Sequence, residues 1–135
     1  MNLDKLNQAF TRIVEKKLEL SKLPVESEEY RILLTELNTL IRDFMSDYGS
    51  LIEEALFNVH DEYCPDCDIM RPLAYIASEY IKKNDRMIAP QGEGIPVFCD
   101  DYPDLDARLV FEPNPMRLVL QGVNQPFREV VWQAG

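Results

Sequence analysis

Between Pro24 and Pro65 the apolar residues recur every three or four positions: Tyr30, Leu33 or Leu34, Leu37, Leu40 or Ile41, Phe44, Tyr48, Leu51 or Ile52, and Val59. That spacing lines up one face of an α-helix, so the stretch must be one long amphipathic helix, or two with a break near Gly49. Ser27 offers an N-cap oxygen, and Glu28 and Glu29 place negative charge in the first turn, where the helix dipole favours it. Ahead of Pro24 the same period runs through Leu3, Leu6, Phe10, Ile13 or Val14, and Leu18 or Leu20. Lys16, Lys17 and Lys22 fall toward the C-terminal end of that helix. The short proline-containing link makes the two helices antiparallel neighbours.

Pro65 interrupts the pattern and biases Cys64 away from helix. Beyond it, Asp66 or Asp68 can cap a third helix carried by Met70, Leu73, Ile76 or Ala77, Tyr80 and Ile81, and closed by Lys82-Lys83-Asn84. After Asn84 the composition shifts. No lysine follows Lys83, and short apolar runs alternate with turn residues: Arg86–Ala89, Ile95–Cys99, Ala107–Phe111, Met116–Leu120 and Phe127–Trp132. These read as strands. The turn Pro113-Asn114-Pro115 predicts a hairpin between 107–112 and 116–121.

Helices first and strands last, without βαβ alternation, define an α+β fold. The expectation is an N-terminal antiparallel helical hairpin plus a third helix, packed on a small C-terminal antiparallel sheet. Residues 1–135 are expected to form a single domain, helical over about 1–84 and strand-rich over about 85–135, because each part alone is small.

Twenty-four acidic against fourteen basic residues leave a net charge of −10. Both parts are acidic, which removes the electrostatic footprint that nucleic acid requires. An anionic membrane surface is disfavoured for the same reason. No apolar run approaches the ~18 residues of a membrane span, and the N-terminus reads as an amphipathic helix rather than a signal peptide. The expected compartment is the cytoplasm. A basic protein is the macromolecular partner that this charge suits. The wide helical stripe also offers a face for a homo-oligomer.

Chemistry-bearing residues are few. The chain has one histidine and three cysteines, with His60, Cys64 and Cys67 inside eight positions and Cys99 in a later apolar run. This is the ligand inventory of a Cys3His zinc site. A Cys-x-x-Cys turn presents two sulfurs to one ion, and His60 and Cys64 share a helix face if the second helix reaches them. Cys99, at a strand end, would close the tetrahedron. His60, Cys64, Cys67 and Cys99 are therefore candidate metal ligands, with zinc the candidate cofactor.

A second reading is thiol redox chemistry, since Cys64-Pro65-Asp66-Cys67 is expected to open a helix whose N-terminus lowers a thiol pKa. The run Tyr63-Cys64-Pro65-Asp66-Cys67, with Pro72 following, resembles the active-site segment of the thioredoxin family over about fifteen residues. The resemblance implies a redox-active Cys64 and Cys67. It stops at a helix-periodic stretch where that family has a buried strand, and Glu62, Asp66 and Asp68 oppose thiolate formation. Third, Asp100, Asp101, Asp104 and Asp106 could supply oxygen ligands to a divalent cation, although their spacing is not that of an EF-hand.

A single histidine excludes any two-histidine metal site, and neither a phosphate-binding glycine loop nor a Gly-x-Ser-x-Gly elbow occurs. The sequence thus favours a non-enzymatic acidic interaction or regulatory module, for example of inhibitor or immunity type. The alternative is a zinc or thiol protein centred on the cysteine–histidine cluster.

Overall fold

The computed structural model describes residues 2–135. Helix α1, Leu3–Ser21, starts where the Asn2 side chain accepts the Lys5 N–H at 3.1 Å, and it ends ahead of Pro24. Helix α2, Glu28–Tyr63, starts where Ser27 Oγ accepts the Tyr30 N–H at 3.1 Å, as its sequence predicts. It runs unbroken through Gly49 for 36 residues, a rod of about 54 Å. The two helices pack as a hairpin on Leu6, Phe10, Ile13 and Val14 of α1 and Leu33, Leu37 and Phe44 of α2.

Four strands form an antiparallel meander in chain order: β3 (Ile95–Val97), β4 (Ala107–Glu112), β5 (Arg117–Gly122) and β6 (Arg128–Gln133). The expected hairpin forms with β4 and β5 in the register Ala107↔Gly122 to Glu112↔Arg117. Strand alternation sends Leu109, Phe111, Leu118 and Leu120 to the helical side. Phe111 is the hub there, with ring centroids 5.7 Å from Phe10, 5.9 Å from Tyr75 and 6.4 Å from Trp132.

The expected third helix does not form. Residues 72–75 make only a short 3-10 turn, and Ile76 then bridges to Phe111 in extended conformation. Next comes a separate two-stranded sheet, β1 (Ile81–Lys83) with β2 (Arg86–Ile88). Its turn residues Asn84 and Asp85 have φ of 49° and 65°, the left-handed pair that tightens a two-residue hairpin. Lys82-Lys83-Asn84 is therefore a strand and turn, not a helix end. The helical spacing of Leu73, Ile76 and Tyr80 is overridden because each has its own tertiary partner; the Tyr80 hydroxyl, for instance, donates to the Phe111 carbonyl at 2.7 Å.

This segment covers the second face of the sheet. Ala77, Ala89 and Tyr80 pack on Val110 and Val119 there. Beside them lies a polar group built on Glu112, which is fully buried. Its carboxylate pairs with Arg117 at 2.8 Å, takes both terminal nitrogens of Arg128, and accepts the Ala89 N–H at 2.7 Å. Gln121 donates to the Pro90 carbonyl at 2.9 Å, so the network clamps the 87–90 segment to the sheet. No described helix is long and apolar enough to cross a membrane.

Candidate functional site

The C-terminal end of α2 meets the loop after β3 at one corner of the molecule. Cys64 caps α2, its N–H bonded to the His60 carbonyl at 3.0 Å, and the Cys67 N–H then turns back to the Cys64 carbonyl at 3.1 Å. Cys67 Sγ accepts the Phe98 N–H at 3.1 Å, which joins the helix end to the strand side. Cys99, the next residue, is buried. The fold thus brings His60, Cys64, Cys67 and Cys99 to the same corner.

His60 is 2 % exposed, and both ring nitrogens have partners. Nδ1 lies 3.2 Å from the Cys67 carbonyl and 3.7 Å from Cys64 Sγ; Nε2 lies 2.8 Å from the Tyr75 hydroxyl. A carbonyl can only accept, so the bond to Cys67 places the proton on Nδ1, and Tyr75 then donates to Nε2. Tyr75 in turn accepts the Met70 N–H at 3.0 Å. Burial holds the His60 pKa below its ordinary value, with the Cys67 carbonyl opposing in part. The ring is therefore neutral at physiological pH.

The three thiols are free. Burial, followed by the neighbouring Cys67 and Cys99, pushes the Cys64 pKa up to about 12. Cys99 is also raised, by burial first and then by Cys67, Asp100 and Asp101. The expected activation at a helix N-terminus is overturned: Cys64 sits at the C-terminal end of α2, where the dipole disfavours a thiolate, and no α-helix follows. Among the described residues, no three His, Cys, Asp or Glu side chains stand arranged to hold a metal ion.

The Asp100–Asp106 loop is two successive turns, with the Tyr102 N–H on the Cys99 carbonyl and the Leu105 N–H on the Tyr102 carbonyl. Asp106 pairs with Arg108, and Asn124 clasps the loop through the Asp106 N–H at 2.9 Å and the Asp104 carbonyl at 3.0 Å.

Sequence reading alone does not show what surrounds the cysteines. Residues 61–71 and 98–106 meet here and hold eight acidic residues and one basic, a net −7 of the chain's −10. All eight carboxylates are exposed, and among the described residues only Asp106 is held in an ion pair. Between them Ile69, Met70, Phe98 and Tyr102 are 36–52 % exposed. Tyr75 and Phe98 position the corner, and the sequence marks neither as a site residue; the one local signal is the adjacency of Phe98 to Cys99.

No protein-family model, curated protein or solved structure matches the chain. What the molecule defines by itself is an α+β fold with an acidic, apolar-studded corner built on a cysteine–histidine junction.

Proposed function

We propose that this protein is a non-enzymatic interaction module, of inhibitor or regulatory type, whose corner docks a basic protein partner. The observation that carries the reading is the segregation of charge. Twenty residues at the corner hold a net −7, and the other 115 hold −3. A field of that kind steers a basic partner and raises its association rate. Phe98 and Met70 belong to the residue types that anchor interface centres, and their exposure beside the carboxylates gives the partner apolar surface to bury. Burial raises the pKa of the Cys64 and Cys99 thiols and lowers that of His60, which makes all three poor nucleophiles or bases and favours binding over catalysis.

The test compares the immobilised protein with a charge-reversed form carrying Asp66→Lys, Asp68→Lys, Asp100→Lys and Asp101→Lys. The expected result is a basic protein retained at low salt, released near about 0.5 M salt where exposed charges are screened, and not retained by the variant. Equal retention by both forms, independent of salt, overturns the reading.

A further inference from the structure

We propose that Cys64 and Cys67 form a reversible disulfide that loosens the acidic corner and so weakens docking there. The regulatory part rests on the docking reading, whereas the bond itself does not.

A turn carries the geometry. Cys64 and Cys67 are the first and last residues of a β-turn closed by the 3.1 Å bond from the Cys67 N–H to the Cys64 carbonyl. The Cα atoms at the ends of such a turn lie within about 7 Å, and a disulfide spans about 4.4–6.8 Å, so the bond closes with little backbone movement. Burial and then the Cys67 thiol are the largest causes of the raised Cys64 pKa, as two sulfurs at close quarters require. Cys67 is partly exposed and Cys64 fully buried, so a small oxidant reaches Cys67, and only Cys67 reaches Cys64. No α-helix follows the turn to activate either thiol, which suits the pair to a bond within its own chain and not to exchange in other proteins.

The oxidant is a low-molecular-weight disulfide of the glutathione type. The Cys67 thiolate, its proton given to solvent, attacks one sulfur of that molecule; a mixed disulfide forms at Cys67 and one small thiolate leaves and is protonated. The Cys64 sulfur then attacks Cys67 Sγ, and the second small thiolate leaves with the Cys64 proton. Two protein thiols are oxidised, and one small disulfide is reduced to two thiols. Before oxidation Cys67 Sγ accepts the Phe98 N–H at 3.1 Å, and its S–H donates to the Phe98 carbonyl at 3.8 Å. The bond to Cys64 removes that S–H and draws Sγ away from Phe98. The exposed Phe98 and the acidic loop after it thereby lose this tie to the end of α2.

Incubation of the reduced chain with oxidised glutathione tests this directly. The expected product has one titratable thiol per denatured chain in place of three, and peptide mapping joins Cys64 to Cys67 with Cys99 free. Cys64→Ser should stop at a glutathione adduct on Cys67; should that variant fail to fold, the mapping of the unmodified chain decides alone. In the oxidised protein the Phe98 amide should exchange roughly 2–10-fold faster, the worth of one hydrogen bond, and dithiothreitol should reverse the change. The oxidised chain should also retain less of the basic protein held in the charge-reversal experiment. Three remaining thiols, a lasting adduct on the unmodified chain or a bond to Cys99 overturns the disulfide. An unchanged Phe98 amide, or equal retention by both forms, overturns the regulation. If the disulfide forms and frees Phe98 while neither form retains a basic protein, the switch stands and the docking reading is what fails.

Discussion

The Tyr75 hydroxyl lies 2.8 Å from Nε2 of His60, and the two rings meet edge-on at a centroid distance of 6.0 Å. Tyr75 also packs edge-on against Phe111, which packs in the same way against Phe10. The corner is therefore referenced to the centre of the core by a continuous line of aromatic contacts. Rings of this kind each remove roughly 150–250 Å² from water, so the line is rigid as well as continuous.

Removing only the hydroxyl, by Tyr75→Phe, keeps the ring packing and strips partners from His60 Nε2 and the Met70 N–H. The expected loss of stability is about 1–3 kcal/mol. Urea denaturation checks it; an unchanged midpoint would mean that the hydroxyl holds nothing.

His60 makes stability depend on pH. Its folded pKa is depressed by burial, whereas in the unfolded chain it takes up a proton near its ordinary value of 6.5. The unfolded state thus binds more protons as pH falls below about 6.5, and stability declines in that direction. His60→Gln has no such proton to bind. Its urea midpoint should change less than the parent's between pH 7.5 and pH 5, and parallel behaviour of the two proteins would count against a buried neutral histidine.

Glu112 is the anchor of the second sheet face. Glu112→Ala leaves the Arg117 guanidinium, whose side chain is 3 % exposed, without its counter-charge. Breaking a buried pair in this way costs about 3–5 kcal/mol. Arg128→Ala should cost less, because that side chain is 35 % exposed. A loss below about 1 kcal/mol for Glu112→Ala would show that the network is not stabilising the native state.

Both helices and the β4–β5 hairpin are legible in the sequence because a single period governs each. Residues 70–83 are not, since their three-four spacing arises from unrelated contacts: Tyr75 reaches His60, Ile76 bridges Phe111, and Tyr80 bonds the Phe111 carbonyl. The Glu112 network is hidden for a different reason. Alternate polar residues on a strand read as a solvated face, and only the covering segment 76–91 buries them. At the corner, spacing singles out His60, Cys64 and Cys67, but nothing local reveals that the acidic loop after β3 folds against them.

Thiol reactivity separates the three cysteines. Cys64 and Cys99 are at most 1 % exposed and their pKa values are raised, Cys64 to about 12, whereas Cys67 is partly exposed. Alkylation of chelator-treated native protein near pH 7.5 should label Cys67 first and the other two only on unfolding. Peptide mapping that finds Cys64 labelled as fast as Cys67 would contradict the buried junction.

The most direct measurement is amide hydrogen exchange on the complex with whatever basic protein the immobilised chain retains. The account predicts slowed exchange in residues 61–71 and 98–106, with helix α1 unchanged. Protection on the helical hairpin with the corner left unaltered would contradict it.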